Sequence, residues 1–235
     1  NPLGLERPDP EQTVPVHALD IGQAKAANGR LVQDLGEGRS VEFTVMPAVQ
    51  KVAQHVLESA DVPFGALVAM EPSTGRVLAY ASHSSVRPEL KNLPGLANPP
   101  AASVFKVIST AALLEHGRIA PDYQVCFNGG RRGINLKHLE DDAKRDRKCH
   151  TVTEALGKST NAVFGKLADR YVPSDVLDRY ARKFGWKRDI PFLLPVQPSA
   201  AVFSTDRLTH ARTAAGFYNT QMSPVHAAMV AATIG

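Results

Sequence analysis

Apolar positions in PAVQKVAQHVLESA, residues 47–60, recur at the three-to-four-residue spacing of one helix face: Val49, Val52, Ala53, Val56 and Leu57. Pro47 suits the first turn of such a helix, where an amide hydrogen has no intrahelical partner to lose. The pattern then changes. In FGALVAMEPSTGRVLAYAS, residues 64–82, two continuous apolar runs flank Glu71-Pro72-Ser73-Thr74-Gly75. Turn-forming residues between β-type runs predict a hairpin. Upstream, GRLVQDLGEGRSVEFTV reads as two short strands, with glycines and Asp34 or Glu37 in the turn. Residues 1–22 are proline-rich and irregular.

The stretch 83–102 carries serine, proline and asparagine and reads as a loop. A helix over about 103–116 follows, closed by Gly117. Residues 117–150 lack periodicity. Within them LKHLEDDAKRDRKC interleaves acidic and basic side chains, which predicts a solvated surface and not a binding patch. TVTEALGKSTNAVFGKLADRY predicts a pair of helices broken near Ser159, with Thr151 and Glu154 as a capping box at its start. Two more helices are expected at 174–184 and 205–216, and a last one from about 224, capped by Ser223 with Pro224 in its first turn. Helix, hairpin, then mostly helices argues for an α+β fold and against a doubly wound sheet.

Composition narrows the function classes. The chain has 235 residues, 43% hydrophobic and 21% charged, enough for one large domain or two small ones. Its net charge of +4 comes without an arginine-rich arm, zinc-ligand spacing or aromatic-basic ladder, so no nucleic-acid partner is indicated. Eight histidines show no metal-ligand spacing, and His150, beside Cys149, is expected at a helix start. Cys126 and Cys149 fit either one extracytoplasmic disulfide or two free thiols. No apolar run approaches the roughly 18 residues that span a bilayer. NPLGLERPDPEQTVPVH lacks a signal peptide's charged start and apolar core, so any anchor or export signal is expected outside this chain.

Candidate chemistry sits in Ser103-Val104-Phe105-Lys106, the one Ser-x-x-Lys of the chain. Positions i and i+3 share a helix face, so the amine reaches the hydroxyl one turn back. Apolar neighbours favour the neutral amine, the form that takes a serine's proton. The positive end of the helix would stand near a developing oxyanion. The plainer reading makes Ser103 an N-cap and Lys106 a snorkelling surface side chain. Ser159-Thr160-Asn161 is the second element: Ser159 as proton relay and Asn161 as holder of a substrate amide, or both as caps at a helix break.

Together these elements resemble the transpeptidase domain of penicillin-binding proteins, where Ser-x-x-Lys is joined by a Ser-Asp-Asn-type element and a Lys-Thr-Gly. GALVAMEPSTGRVLAYAS is similar to the family's hairpin before the nucleophile, and PPAASVFKVISTAALLEHG to its nucleophile helix. CHTVTEALGKSTNAVFGKLA resembles the segment with the second motif, and AAGFYNTQMSPVHAAMVAATIG the helix before the third. The likeness covers roughly residues 41–235. It implies a β-lactamase/transpeptidase-like α+β fold: a central antiparallel sheet flanked by helices, plus an all-α subdomain. Residues 1–40 would be a linker or pedestal remnant. Ser103 would be the acylated nucleophile, its backbone N–H half of the oxyanion hole, and Lys106 its base. Ser159 would pass the proton to the leaving amine, and Asn161 would bind the donor peptide. The implied activity is peptidoglycan D,D-transpeptidation at the outer face of the membrane, on D-Ala–D-Ala stem peptides, inhibited covalently by β-lactams. Neither metal nor organic cofactor is implied; a membrane anchor and cell-wall synthesis partners would lie outside the chain.

The chain departs from the family pattern in places. Ala102 stands where glycine usually precedes the nucleophile, and Thr44-Val45-Met46-Pro47 departs from a Thr-x-Asp. No Lys-Thr-Gly occurs; Thr74-Gly75 is a hairpin tip, which cannot supply the strand edge and cation that motif provides. The third motif and the C-terminal part of the sheet are therefore expected beyond Gly235, leaving the site here incomplete. A serine β-lactamase and a D,D-carboxypeptidase share the motifs. The absence of glutamate after Glu154 counts against a class A lactamase. A non-catalytic β-lactam-binding scaffold or sensor is the remaining alternative.

Overall fold

The computed structural model describes residues 19–131 and 133–235, so most of the proline-rich N-terminal reading lies outside the described residues. The chain divides into two compact units. One runs to Gly95 and includes Pro191–Pro195; the other comprises Leu96–Ile190 and Val196–Gly235.

In the first unit, β1 (Lys25–Ala27), β2 (Arg30–Gly36) and β3 (Arg39–Phe43) form an antiparallel sheet in that order. The last two are the strands read from the sequence; β1 is an addition. Their turn uses three left-handed residues in a row, Gly36, Glu37 and Gly38 at φ +80°, +53° and +72°, a run that needs the two glycines. Helix α1 (Pro47–Ala60) and the hairpin of β4 (Gly65–Met70) and β5 (Val77–His83) occupy the expected positions. Ala53 packs on Ala79 and Ala81, with Val49, Leu57, Leu67 and Ala69 around them.

Val52 and Val56, read as part of the buried helix stripe, are 63% and 52% exposed. Of the apolar stripe, Val49, Ala53 and Leu57 pack on the hairpin, because small alanines bring α1 close along a single ridge. That closeness has a use. The Gln50 carboxamide donates to Tyr80 O at 3.0 Å and accepts from Tyr80 N at 2.8 Å, acting as a substitute strand along β5.

In the second unit, a 3-10 turn at Ala102–Val104 leads into α2 (Phe105–Glu115). Phe105, Lys106, Ile108, Ser109, Ala112 and Leu113 of α2 are all buried. Helices α3 (Val152–Gly157), α4 (Asn161–Tyr171), α5 (Ser174–Lys183) and α6 (Arg207–Ala214) surround it. Trp186, fully buried, meets the Phe105 ring edge-on at 5.4 Å. The predicted capping box is present: Glu154 N donates to Thr151 Oγ1 at 3.1 Å and Thr151 N to Glu154 Oε2 at 3.0 Å. Ser223 caps α7 (Pro224–Ala232) by accepting from His226 N at 3.2 Å.

The segment 117–150 differs most from its reading as a solvated loop. It contains β6 (Gln124–Phe127) and β7 (Lys148–Thr151), an antiparallel pair in which Cys126 faces Cys149 and bonds to it. His150 lies in β7, one residue before the N-cap of α3 and so beside the expected helix start; its ring packs on Phe127 at 4.9 Å. Part of the charge run also points inward. Lys166 of α4, fully buried, donates to Asp146 at 2.5 Å, Asp141 at 3.2 Å and Cys126 O at 3.0 Å. β6 alternates in burial over only four residues, and β7 has Lys148 and His150 among its four, too short a pattern to read as a pair of strands. A disulfide and a buried cation hold them instead.

Candidate active site

The nucleophile candidate stands at the end of a forced turn. Ala102, immediately before Ser103, has φ +48°, left-handed backbone that costs an alanine on the order of 1 kcal/mol. Helix α2 takes Val104 as N-cap and draws no side-chain capping bond. Ser103 is thus not the cap that a plainer reading made it. Its Oγ lies 2.9 Å from Lys106 Nζ and 2.6 Å from Ser159 Oγ.

Lys106 does not snorkel. It is fully buried, with Nζ 5.9 Å from the centre of the Phe164 ring. Its second hydrogen-bond partner is the Ala215 carbonyl at 2.8 Å, and no carboxylate pairs with it among the described residues. Burial without a counter-charge lowers its pKa from the usual lysine range to about 8. At pH 7 about a tenth of the molecules then hold a neutral amine, against fewer than about one in a thousand for a solvated lysine. In that form one N–H still donates to Ala215 O, which turns the lone pair toward Ser103.

Ser159 arrives by a helix-terminal device. Its N–H donates to Leu156 O at 3.0 Å, and Thr160 N donates to Ala155 O at 2.8 Å. These are the two bonds of a Schellman motif closing α3, whose left-handed position is normally glycine. Here serine occupies it, at φ +53°. Its backbone closes α3 while its hydroxyl bonds the Ser103 hydroxyl, and strained backbone of this kind clusters at functional sites. Ser159→Gly is accordingly expected to raise stability by about 1 kcal/mol. The same change should slow acylation of Ser103 by about 10²-fold or more. Denaturant midpoints and a stopped-flow acylation assay would register the two effects; a stability loss would remove the strain argument.

Asn161 begins α4. Its Nδ2 donates to Arg131 O at 3.1 Å and Gly130 O at 3.3 Å. Oδ1 makes no hydrogen bond among the described residues and is left to accept from a peptide N–H. The structure thus joins Ser103, Lys106 and Ser159 in one hydrogen-bonded chain. Asn161 stands two residues from Ser159 and lines the same cavity.

Sequence reasoning missed the other wall. The end of α6 presents three consecutive groups to α2. Ala214 O accepts from Ser109 Oγ at 2.7 Å, Ala215 O accepts from Lys106, and Gly216 backs onto Ala102. The glycine after a helix was the single available signal, and it resembles any helix stop. Among the described residues no cluster of metal-ligating side chains forms, and no helix is long and apolar enough to cross a membrane.

Residues 65–235 match the sequence model of the penicillin binding protein transpeptidase domain. The chain belongs to that family. The peptidoglycan D,D-transpeptidase PbpA of Mycolicibacterium smegmatis is 29% identical over 98% of this transpeptidase-domain chain and 52% of its own length. Penicillin-binding protein A from M. tuberculosis, solved as an imipenem acyl-enzyme, superposes with a TM-score of 0.66 at 26% identity. That match covers 81% of this chain and 51% of the other. Pseudomonas aeruginosa PBP2 shares the fold with a TM-score of 0.68 at 20% identity, over 82% and 50% of the two chains. The expected α+β transpeptidase-like fold is therefore present. The chain spans about half the length of these relatives.

Proposed function

We propose that this chain is the acylating part of a peptidoglycan D,D-transpeptidase. The observation that carries this reading is the chain Ser159–Ser103–Lys106, ending on a buried amine oriented by Ala215 O. Neutral Lys106 removes the Ser103 proton as Oγ attacks the carbonyl carbon of the terminal D-Ala–D-Ala bond. The resulting oxyanion faces the Ser103 backbone N–H. The proton moves from Lys106 by way of Ser159 to the departing amine, D-alanine leaves, and an ester remains on Ser103. An amine of a neighbouring stem peptide then attacks that ester. Its surplus proton returns to Ser103 Oγ, and a cross-link replaces the lost peptide bond. Asn161 Oδ1 accepts from a backbone N–H of the donor peptide throughout.

A β-lactam follows the same first step and forms the same ester, without a leaving group that departs. The relatives named D,D-transpeptidases and the imipenem acyl-enzyme support the reading. We assign residues 1–40 to a linker or pedestal and 41–235 to the transpeptidase domain. The site works outside the cytoplasm, at the membrane and together with cell-wall synthesis partners. The Cys126–Cys149 bond suits an oxidising compartment.

Intact-mass spectrometry tests the assignment. Penicillin G should add one equivalent to the intact protein, peptide mapping should place it on Ser103, and Ser103→Ala should take none. An adduct elsewhere would reject Ser103 as nucleophile. Rapid release of hydrolysed penicillin would replace the transpeptidase with a lactamase.

A further inference from the structure

Behind Ser159 and Asn161 lies a cavity of about 500 Å³, walled by β6, β7, the 128–131 loop and the start of α4. Its charge is one-sided. Arg131, Arg145, Arg147, Lys148 and Lys158 line it, together with His150, and no aspartate or glutamate does. Arg145 is paired with Asp142 at 2.5 Å and Lys158 with Glu154 at 3.7 Å. Arg131 and Lys148 have no carboxylate partner among the described residues, and Arg147 donates only to the Lys144 carbonyl, at 3.2 Å. Three cations are left over. The carboxylates that made this segment read as charge-balanced are placed elsewhere: Asp141 and Asp146 bind buried Lys166.

A second feature points the same way. Helix α4, 11 residues long, begins at this cavity with no side-chain cap. Thr160, its N-cap residue, bonds His150 Nδ1 with its hydroxyl at 2.8 Å and leaves the first-turn N–H groups without a side-chain acceptor. Uncapped N–H groups at the positive end of a helix favour an anion. Guanidinium forks match the planar geometry of a carboxylate.

We propose that this cavity is an anion subsite that holds a carboxylate on the retained, acyl side of the stem peptide. The inference rests on the transpeptidase reading above. Ser159 and Asn161 are at once neighbours of the reacting centre and walls of this cavity. A peptide acylated on Ser103 and running past Asn161 delivers its next residues here. A carboxylate at that place meets three cations without carboxylate partners and a helix N-terminus, whereas its uncharged amide forms no ion pair and keeps a single acceptor oxygen. The subsite therefore sorts stem peptides by charge.

Two synthetic D-Ala–D-Ala peptides test this, one with a side-chain carboxylate upstream of the terminal dipeptide and one with that group amidated. The wild-type protein should acylate the carboxylate peptide with a kcat/KM about 10-fold higher, a preference that shrinks as salt is raised. In Arg147→Gln/Lys148→Gln the ratio should fall to about 1. Should that variant melt early, Arg131→Gln, whose side chain has no described partner, is expected to lower the ratio severalfold. Equal rates in a wild type that still takes penicillin on Ser103 overturn the subsite and spare the transpeptidase reading. So does a ratio that persists in folded variants. A wild type that penicillin does not acylate overturns both.

Discussion

Lys106→Met should cut the acylation rate by about 10³-fold or more and at the same time make the protein more stable. The two effects have one cause. The amine is buried beside a hydroxyl, a carbonyl and an aromatic ring, with no carboxylate to balance it. Removal of the base leaves Ser103 with a hydroxyl partner alone, and general-base catalysis contributes about 10²–10⁴-fold in such sites. The stability effect has a definite sign with pH. A lysine whose folded pKa, about 8, lies below its unfolded value stabilises the fold only above the unfolded value. That contribution is lost as pH falls through 8, so at neutral pH the buried charge is a cost. Methionine of similar length removes the charge. The lost amine–carbonyl bond offsets about 1 kcal/mol of the gain, and a net increase of about 1–2 kcal/mol is expected. Urea titrations should show the full difference below pH 8 and a narrowing one toward pH 10. Acylation by the wild type should rise with pH and level off above about 8. A flat profile between pH 6 and 9 would remove Lys106 as the base.

Gly216→Ala should disable the site from behind. A Cβ on Gly216 would stand 1.9 Å from Ala102 O and 2.6 Å from Ala102 C, backbone atoms of the turn that presents Ser103. Neither is the end of a flexible side chain, so the turn itself must move. The φ of +83° adds left-handed strain. Overpacking and strain together should cost about 2–4 kcal/mol. A displacement of the nucleophile by about 1 Å costs about 10²-fold in rate. The neighbouring Ala215 carbonyl, which orients Lys106, would shift with it. Gly75→Ala provides the comparison. Gly75 also has a positive φ, +70°, but a Cβ there meets nothing within 4 Å. It should lose about 1 kcal/mol and acylate normally. Equal acylation by Gly216→Ala and Gly75→Ala would refute the packing argument.

Much of the fold was legible because it depends on local rules. The helix at 47–60 and the hairpin around Gly75 each carry a complete period and a complete turn. The Thr151–Glu154 box and the Ser223 cap need only residues three apart. The β6–β7 pair was not legible. Its strands are four residues long, β7 holds Lys148 and His150, and what joins the two is a cross-strand bond between Cys126 and Cys149. Pairing between positions that far apart depends on the loop between them, whose charges are in turn sorted by one buried cation, Lys166. Periodicity also overstated α1, where Val52 and Val56 belong to the apolar stripe but face outward.

The same division runs through the site. Spacing by itself determined that Lys106 reaches Ser103, since i and i+3 lie one above the other on any helix. The order of the four motif-bearing stretches determined the family. Neither decided whether Lys106 is a surface cation or a buried base, because that depends on what covers it. Tertiary structure answers with residues more than a hundred positions away: the end of α6 closes over α2, and Ala215 O takes the amine. Burial is a property of the assembled unit and not of a tetrapeptide. The lowered pKa of Lys106 and the one-sided cavity beyond Asn161 both follow from it. Short-range geometry is written in the chain, whereas the dielectric around a charge comes from whichever distant segments pack against it.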